Sequence, residues 1–145
     1  MRDPSAVVRV LVVDDYEAFR GVVCAALESR PEFQVIGEAA DGLEAVQKAE
    51  ALQPDLILLD IGMPKLNGLD AAHQISRLAP DAIILFVSQE TDPDVVAAAV
   101  SNGAKGYVCK HNANHELLPA IQAVLRGDRF VSAEFDGTSN PPPLN

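Results

Sequence analysis

Asp60 closes the unbroken apolar run Leu56-Ile57-Leu58-Leu59, and the pair Asp14-Asp15 closes a second such run, Val10-Leu11-Val12-Val13. Short segments that are apolar throughout are the mark of strands buried on both faces of a parallel sheet. Open α/β sheets place their chemistry beyond the carboxyl ends of those strands. Two such strands side by side therefore deliver three acids to one rim. Carboxylates held within about 5 Å repel one another by on the order of 3 kcal/mol per pair at an effective dielectric near 20, and a divalent cation relieves that repulsion. Oxygen ligands alone, few in number and with room left for water, favour Mg²⁺ over zinc or an all-protein calcium cage.

The rest of the chain supplies the frame for such a rim. Strand-like runs at Val8 to Val13, Phe33 to Gly37, Leu56 to Leu59, Ile83 to Val87 and Gly106 to Cys109 alternate with longer amphipathic segments. The first helix carries Phe19, Val22, Val23, Ala26 and Leu27 at i, i+3, i+4, i+7 and i+8, an apolar stripe, and stops before Pro31. The second opens on Asp41 with Glu44 three residues on, the pattern of a capping box. The third starts near Asn67-Gly68 and ends before Pro80. The fourth has Asp92 as cap and Pro93 at its first helical position. The fifth runs from about Asn114 to Arg126 and ends at Gly127, suited to a left-handed cap. Pro119 falls inside it and deletes a backbone donor, so a bent first turn or a later start is expected. Five βα units in succession imply a parallel sheet with helices on both faces.

Bulk properties exclude several classes. A chain of 145 residues, 48% hydrophobic and without tryptophan, fits one domain whose core is built from Val, Leu, Ile and Ala. A net charge of −10 argues against direct nucleic-acid binding, which relies on clustered Lys and Arg. No stretch is long and apolar enough to span a bilayer, and the amino end, Met1 to Ser5, lacks the apolar core of an export signal. Cys24 and Cys109 lie in apolar stretches without CxxC spacing and read as buried small hydrophobes in a reducing compartment, so a cytoplasmic location is expected. His73, His111 and His115 have no metal-like company and read as surface residues. Residues 1–7 read as an amino-terminal extension and 129–145 as a tail, disordered from about 136, where Gly, Ser and three consecutive prolines cannot join a sheet or helix.

With Asp14-Asp15 after the first strand, Asp60 with Met63-Pro64 and Asn67-Gly68 after the third, Ser88 after the fourth, and Tyr107 and Lys110 around the fifth, residues 8–128 resemble the receiver domain of two-component response regulators. Gly37 to Gly42 and a Lys110 without a following proline resemble the NarL/FixJ type in particular, which carries a helix-turn-helix domain behind the receiver. The resemblance implies a flavodoxin-like (βα)5 fold with strand order 2-1-3-4-5. It also implies a function: a signalling domain, not an enzyme, that accepts a phosphoryl group on Asp60 from a sensor histidine kinase or phosphotransfer protein. Asp15 is then a direct Mg²⁺ ligand, Asp14 a ligand through water, and Asp60 and the Gly62 main-chain carbonyl further ligands. Lys110 and Ser88 meet the phosphoryl oxygens. Ser88 and Tyr107 act as switch residues that reshape the surface of the fourth helix, fifth strand and fifth helix for an effector, a fused output domain or a second copy.

Taken singly, Asp60 would read as a turn former, Lys110 as a solvated lysine and Tyr107 as an ordinary strand tyrosine; the set carries the reading. A haloacid-type phosphohydrolase on the same sheet requires a second acid two residues past the nucleophile, where Gly62 stands. Receivers usually carry a small residue after the Ser or Thr, whereas Gln89 and Glu90 follow Ser88, which implies altered phosphoryl transfer and lifetime. The fourth helix, Val95-Val96-Ala97-Ala98-Ala99-Val100, is apolar around much of its circumference, which reads either as an exposed strip for a dimer or effector or as a tightly packed small-residue helix. Gly137 to Asn145 reads as a natural chain end, which favours a stand-alone receiver; the alternative is the front half of a NarL-type transcription factor.

Overall fold

The computed structural model describes residues 6–132 as alternating strands and helices: β1 Val8–Val13, α1 Glu17–Glu28, β2 Phe33–Ala39, α2 Gly42–Leu52, β3 Leu56–Leu59, α3 Gly68–Leu78, β4 Ile83–Ser88, α4 Pro93–Ser101, β5 Gly106–Cys109, a 3₁₀ turn at Lys110–Asn112, α5 Ala113–Leu125 and β6 Phe130–Val131. The strands form one parallel sheet of order β2-β1-β3-β4-β5-β6. The expected order 2-1-3-4-5 is present, and β6 is added at its edge.

Period-two alternation along the buried strands divides the core in two. Leu11, Val13, Ile57, Leu59, Ile84, Phe86, Tyr107 and Cys109 join α2, α3 and α4 on one face. Val10, Val12, Leu56, Leu58, Leu85, Val87 and Val108 join α1 and α5 on the other. Strand residues one step apart point to opposite faces, so the register of each strand decides where the residue just beyond it goes. Asp14 and Asp60 follow Val13 and Leu59 and belong with the α1 and α5 side; Ser88 follows Val87 and belongs with Tyr107 on the α4 side.

The caps form largely as the sequence indicates. Asp41 accepts from the Glu44 N–H while the Glu44 carboxylate accepts from the Ala40 N–H, a box shifted by one residue at its second contact. Asn67 and Asp92 cap α3 and α4. Gly127, at φ 94°, ends α5 with its N–H donating to Val124 O and the next N–H to Ala123 O.

Four expectations need correction. The tail does not begin at residue 129, because Phe130 and Val131 pair with Gly106 and Tyr107. Helix α5 does not start late: it begins at Ala113 and continues through Pro119 to Leu125. The carbonyl that loses its partner is that of His115, and both residues lie on the exposed side, where water replaces the missing donor. Val22 is 66% exposed and Cys24 takes its place in the core. On α4, Val95 and Val100 pack against the core and Ala97 is its one exposed apolar residue beyond Pro93, so the expected apolar strip is narrow. The part of the tail from residue 136 lies outside the described residues, and no helix among the described residues is long and apolar enough to cross a membrane.

Two glycines set how closely the site's loops pack. A Cβ on Gly106 would lie 2.5 Å from Phe130 O, so only glycine lets β6 come alongside β5. A Cβ on Gly68 would lie 1.9 Å from Asp60 O and 2.7 Å from Ile61 Cα, and its N–H donates to Ile61 O at 2.7 Å. The start of α3 is thereby pressed onto the backbone that presents Asp60. Gly68→Ala is expected to cost about 1–3 kcal/mol in urea unfolding through forced backbone movement. Gly21→Ala, on the exposed side of α1 where an added Cβ meets nothing, is expected to stabilise by up to about 1 kcal/mol through helix propensity.

Candidate functional site

The rim at the carboxyl ends of β1, β3, β4 and β5 brings together residues from four separate stretches of chain. Carboxylate oxygens of Asp14, Asp15 and Asp60 all lie within 4.8 Å of one another. Asp14 and Asp60 are buried, at 2% and 4% exposure, while Asp15 faces solvent. Above them opens a cavity of about 660 Å³ lined by Asp15, Tyr16, Phe19, Asp60, Gly62, Ser88, Gln89, Glu90, Thr91 and Lys110. Every acid, the lysine, Ser88 and Gly62 from the sequence reading meet here. Tyr107 does not line this cavity.

The turn after β1 is fixed from both ends. Asp14 Oδ1 accepts from the Tyr16 N–H at 2.8 Å, and the Arg20 guanidinium donates to the Asp14 carbonyl at 2.6 Å while its Nε pairs with Glu38 at 2.9 Å. Asp60 is engaged at both oxygens: Oδ1 accepts from the Ile61 N–H at 2.7 Å and Oδ2 from Lys110 Nζ at 3.2 Å. Lys110 reaches Asp14 Oδ2 at 2.8 Å as well, so one ammonium bridges the two buried acids. Its third neighbour is the Phe19 ring, with the centroid 4.7 Å from Nζ.

Burial pushes the Asp14 carboxyl above the usual carboxylate range, and the Asp60 charge adds to that rise against the hydrogen bonds from Lys110 and the Tyr16 N–H. The Lys110 pKa is raised as well, for a different reason. Burial alone would lower its pKa, but the hydrogen bond to Asp14 and the charges of Asp60 and Asp14 together raise it above the ordinary lysine value. The ammonium is therefore a fixed positive charge at neutral pH.

A second cluster lies one loop away. Glu90 O accepts from the Tyr107 hydroxyl at 2.7 Å, the Glu90 N–H donates to Ser88 Oγ at 3.2 Å, and the Glu90 carboxylate accepts from the N–H groups of Thr91 and Asp92. The Tyr107 ring is fully buried and already turned inward, 6.3 Å from Phe86 between centroids, and burial raises its hydroxyl's pKa. Ser88 is 1% exposed. Behind β5, Ser132 is fully buried: its N–H donates to Tyr107 O, its Oγ accepts from the Cys109 N–H at 2.9 Å and donates to Glu116 at 2.5 Å.

Sequence reading missed Glu90 as the hub of its loop, the Arg20 brace and the Ser132 seat; in each the informative contact is with a main-chain atom, which residue types do not reveal. Phe19 was read only as core. The histidines are exposed, and both cysteines are buried and outside any disulfide, with burial pushing the Cys24 thiol up to about 11.

This arrangement belongs to a known class. Residues 10–122 match the family described as the response regulator receiver domain, and the chain belongs to that family. Its relatives are of the NarL/LuxR kind. The transcriptional regulatory protein LiaR of Bacillus subtilis is 37% identical over 130 residues, covering 90% of this chain and 62% of LiaR. Among solved structures, a LuxR-family two-component response regulator from Aurantimonas sp. SI85-9A1 is 32% identical with a TM-score of 0.84, over 90% of this chain and 93% of that one. The receiver domain of a NarL from Mycobacterium tuberculosis is 33% identical with a TM-score of 0.79, over 84% and 98%. The chain spans 52–62% of the length of the regulators DegU, LiaR and NarL.

Because native Asp14 holds its proton to higher pH than the unfolded chain does, ionising it costs stability as pH rises through the window above 3.8. In buffer free of divalent cations, Asp14→Asn is expected to unfold at a higher temperature than wild type at pH 7. The difference should shrink as pH falls toward the ordinary carboxylate value of 3.8, since the cost of ionising native Asp14 is absent below it; a calorimetric series over that range checks it.

Proposed function

We propose that this receiver is a phosphoacceptor in a two-component relay, with Asp60 as the accepting residue. The observation that carries this reading is Lys110 bridging Asp14 and Asp60 beside an open cavity. One Asp60 oxygen attacks phosphorus in line, the P–N bond of a phosphohistidine breaks, the imidazole leaves and takes up a proton, and Asp60 becomes a mixed acyl phosphate. Small acyl phosphates serve in the same way through P–O cleavage, with the carboxylate as leaving group.

The three carboxylates supply the hard oxygen ligands that Mg²⁺ prefers. Asp15, Asp60 and the Gly62 carbonyl would hold it directly and Asp14 through water; when bound it neutralises charge on the acids and on the phosphoryl group. Lys110 offers a donor to one phosphoryl oxygen, and the Ser88 hydroxyl with main-chain N–H groups after Asp60 offers others. To turn toward that group Ser88 must give up its bond to the Glu90 N–H, which frees one of the two contacts holding the loop before α4. Tyr107 holds the other. The output surface is that of α4, β5 and α5, where an effector, an output domain or a second copy would read the change. The relatives named above include transcriptional regulators, which supports a DNA-binding output domain as the alternative to free docking.

Incubation with a small phosphodonor and Mg²⁺ is expected to add about 80 Da to Asp60 by mass spectrometry. Asp60→Asn, or removal of Mg²⁺, should abolish the adduct; its absence from wild type would falsify the reading. Gln89 is exposed at the cavity wall, next to where donor and water approach. Gln89→Ala is expected to change the loading rate or the decay rate by more than about twofold, measured by following the adduct with time; rates within that limit would mean the side chain plays no part.

A further inference from the structure

Phe19 stands between two cavities. It lines the acidic cavity at the rim, and it lines a mostly apolar groove of about 610 Å³ between α1 and α5 that includes Val22, His111, Leu118 and Pro119. Lys110 also lines both. Its ammonium therefore has two places to go: toward the carboxylates, or past the ring into the groove, where water would solvate it. Lys110 is 14% exposed, with Asp14 at 2.8 Å, Asp60 at 3.2 Å and the ring centroid at 4.7 Å. An ammonium within about 6 Å of an aromatic face is attracted by the ring quadrupole, most strongly where water is excluded.

We propose that Phe19 is a positioning residue for Lys110, holding the ammonium in the acidic cavity by a cation–π contact and closing its route into the groove between α1 and α5. The contact matters most when the carboxylates turn to a bound cation or to phosphorus. Lys110 then loses its ion pairs, and the ring is the neighbour that keeps it at the cavity wall. This rests on the phosphoacceptor reading for its consequence, though the geometry does not depend on it.

The test compares Phe19→Leu, which keeps an apolar plug without the ring face, with Phe19→Tyr, which keeps the ring. In each folded protein, checked by its cooperative thermal unfolding, the rate of reductive methylation of Lys110 is followed by mass spectrometry, with exposed Lys105 as internal reference. Loading of Asp60 by a small phosphodonor is measured in parallel. Lys110 in Phe19→Leu is expected to react about threefold faster or more, with the maximal loading rate down about threefold and the half-saturating donor concentration unchanged. Phe19→Tyr should match wild type in all three. If Leu and Tyr variants label Lys110 alike, or if labelling rises without any fall in the maximal loading rate, the proposal is overturned. Should wild-type Asp60 accept no phosphoryl group, the phosphoacceptor reading fails, while the labelling rates still decide whether Phe19 holds Lys110.

Discussion

One ammonium makes the rim of this sheet tenable. Asp14 and Asp60 are both nearly buried and their carboxylates are close neighbours. Burial of either charge is costly, and burial of two of the same sign is worse. Lys110 reaches both from directly after β5, which requires β1, β3, β4 and β5 to lie in this order and register. The sheet's topology is thus a condition of the charge balance, and the acidic cluster cannot be separated from the fold that carries the lysine. The cost of the arrangement is visible in Asp14, whose carboxyl stays above its ordinary range even beside the cation.

The two faces of the sheet divide the labour. Residues that step toward α1 and α5 hold charge: Asp14, Asp60, Lys110, with Arg20 and Phe19 supporting them from α1. Residues that step toward α4 hold the loop: Ser88 and Tyr107, which fasten the two sides of the Glu90 peptide environment through its N–H and its carbonyl. Ser88 belongs to both groups, since it lines the acidic cavity while its Oγ is tied to Glu90. That double membership places one side chain in contact with both the acidic cavity and the loop that leads into α4.

Much of this was legible in the residues alone. Apolar runs such as Leu56 to Leu59, cut off by an acid, can satisfy their backbone and bury both faces only as inner parallel strands, and Asp41, Asn67 and Asp92 announce their helices by capping chemistry. Failures have equally specific causes. Phe130-Val131 is too short to show a period, and its pairing depends on the missing side chain of Gly106 across the edge. Val22 fits the helical stripe, but the stripe is wider than the contact: Cys24 joins the core and Val22 is left exposed beside the groove between α1 and α5. Pro119 costs α5 one hydrogen bond, but on the exposed side the His115 carbonyl can be solvated, and the helix runs on through it. Tertiary contacts to main-chain atoms, as at Arg20 and Ser132, leave no trace in composition or spacing.

The seat of Ser132 has a mechanical consequence. Its backbone and hydroxyl are stitched to Tyr107 and Cys109, the residues flanking Val108 in the strand that directly precedes Lys110, and its hydroxyl is also moored to Glu116. Ser132 therefore ties β5 and helix α5 together at one point, through main-chain contacts to the strand and a side-chain contact to the helix. The strand that Ser132 pins along its edge is thus the same one from whose carboxyl end Lys110 reaches the two buried acids.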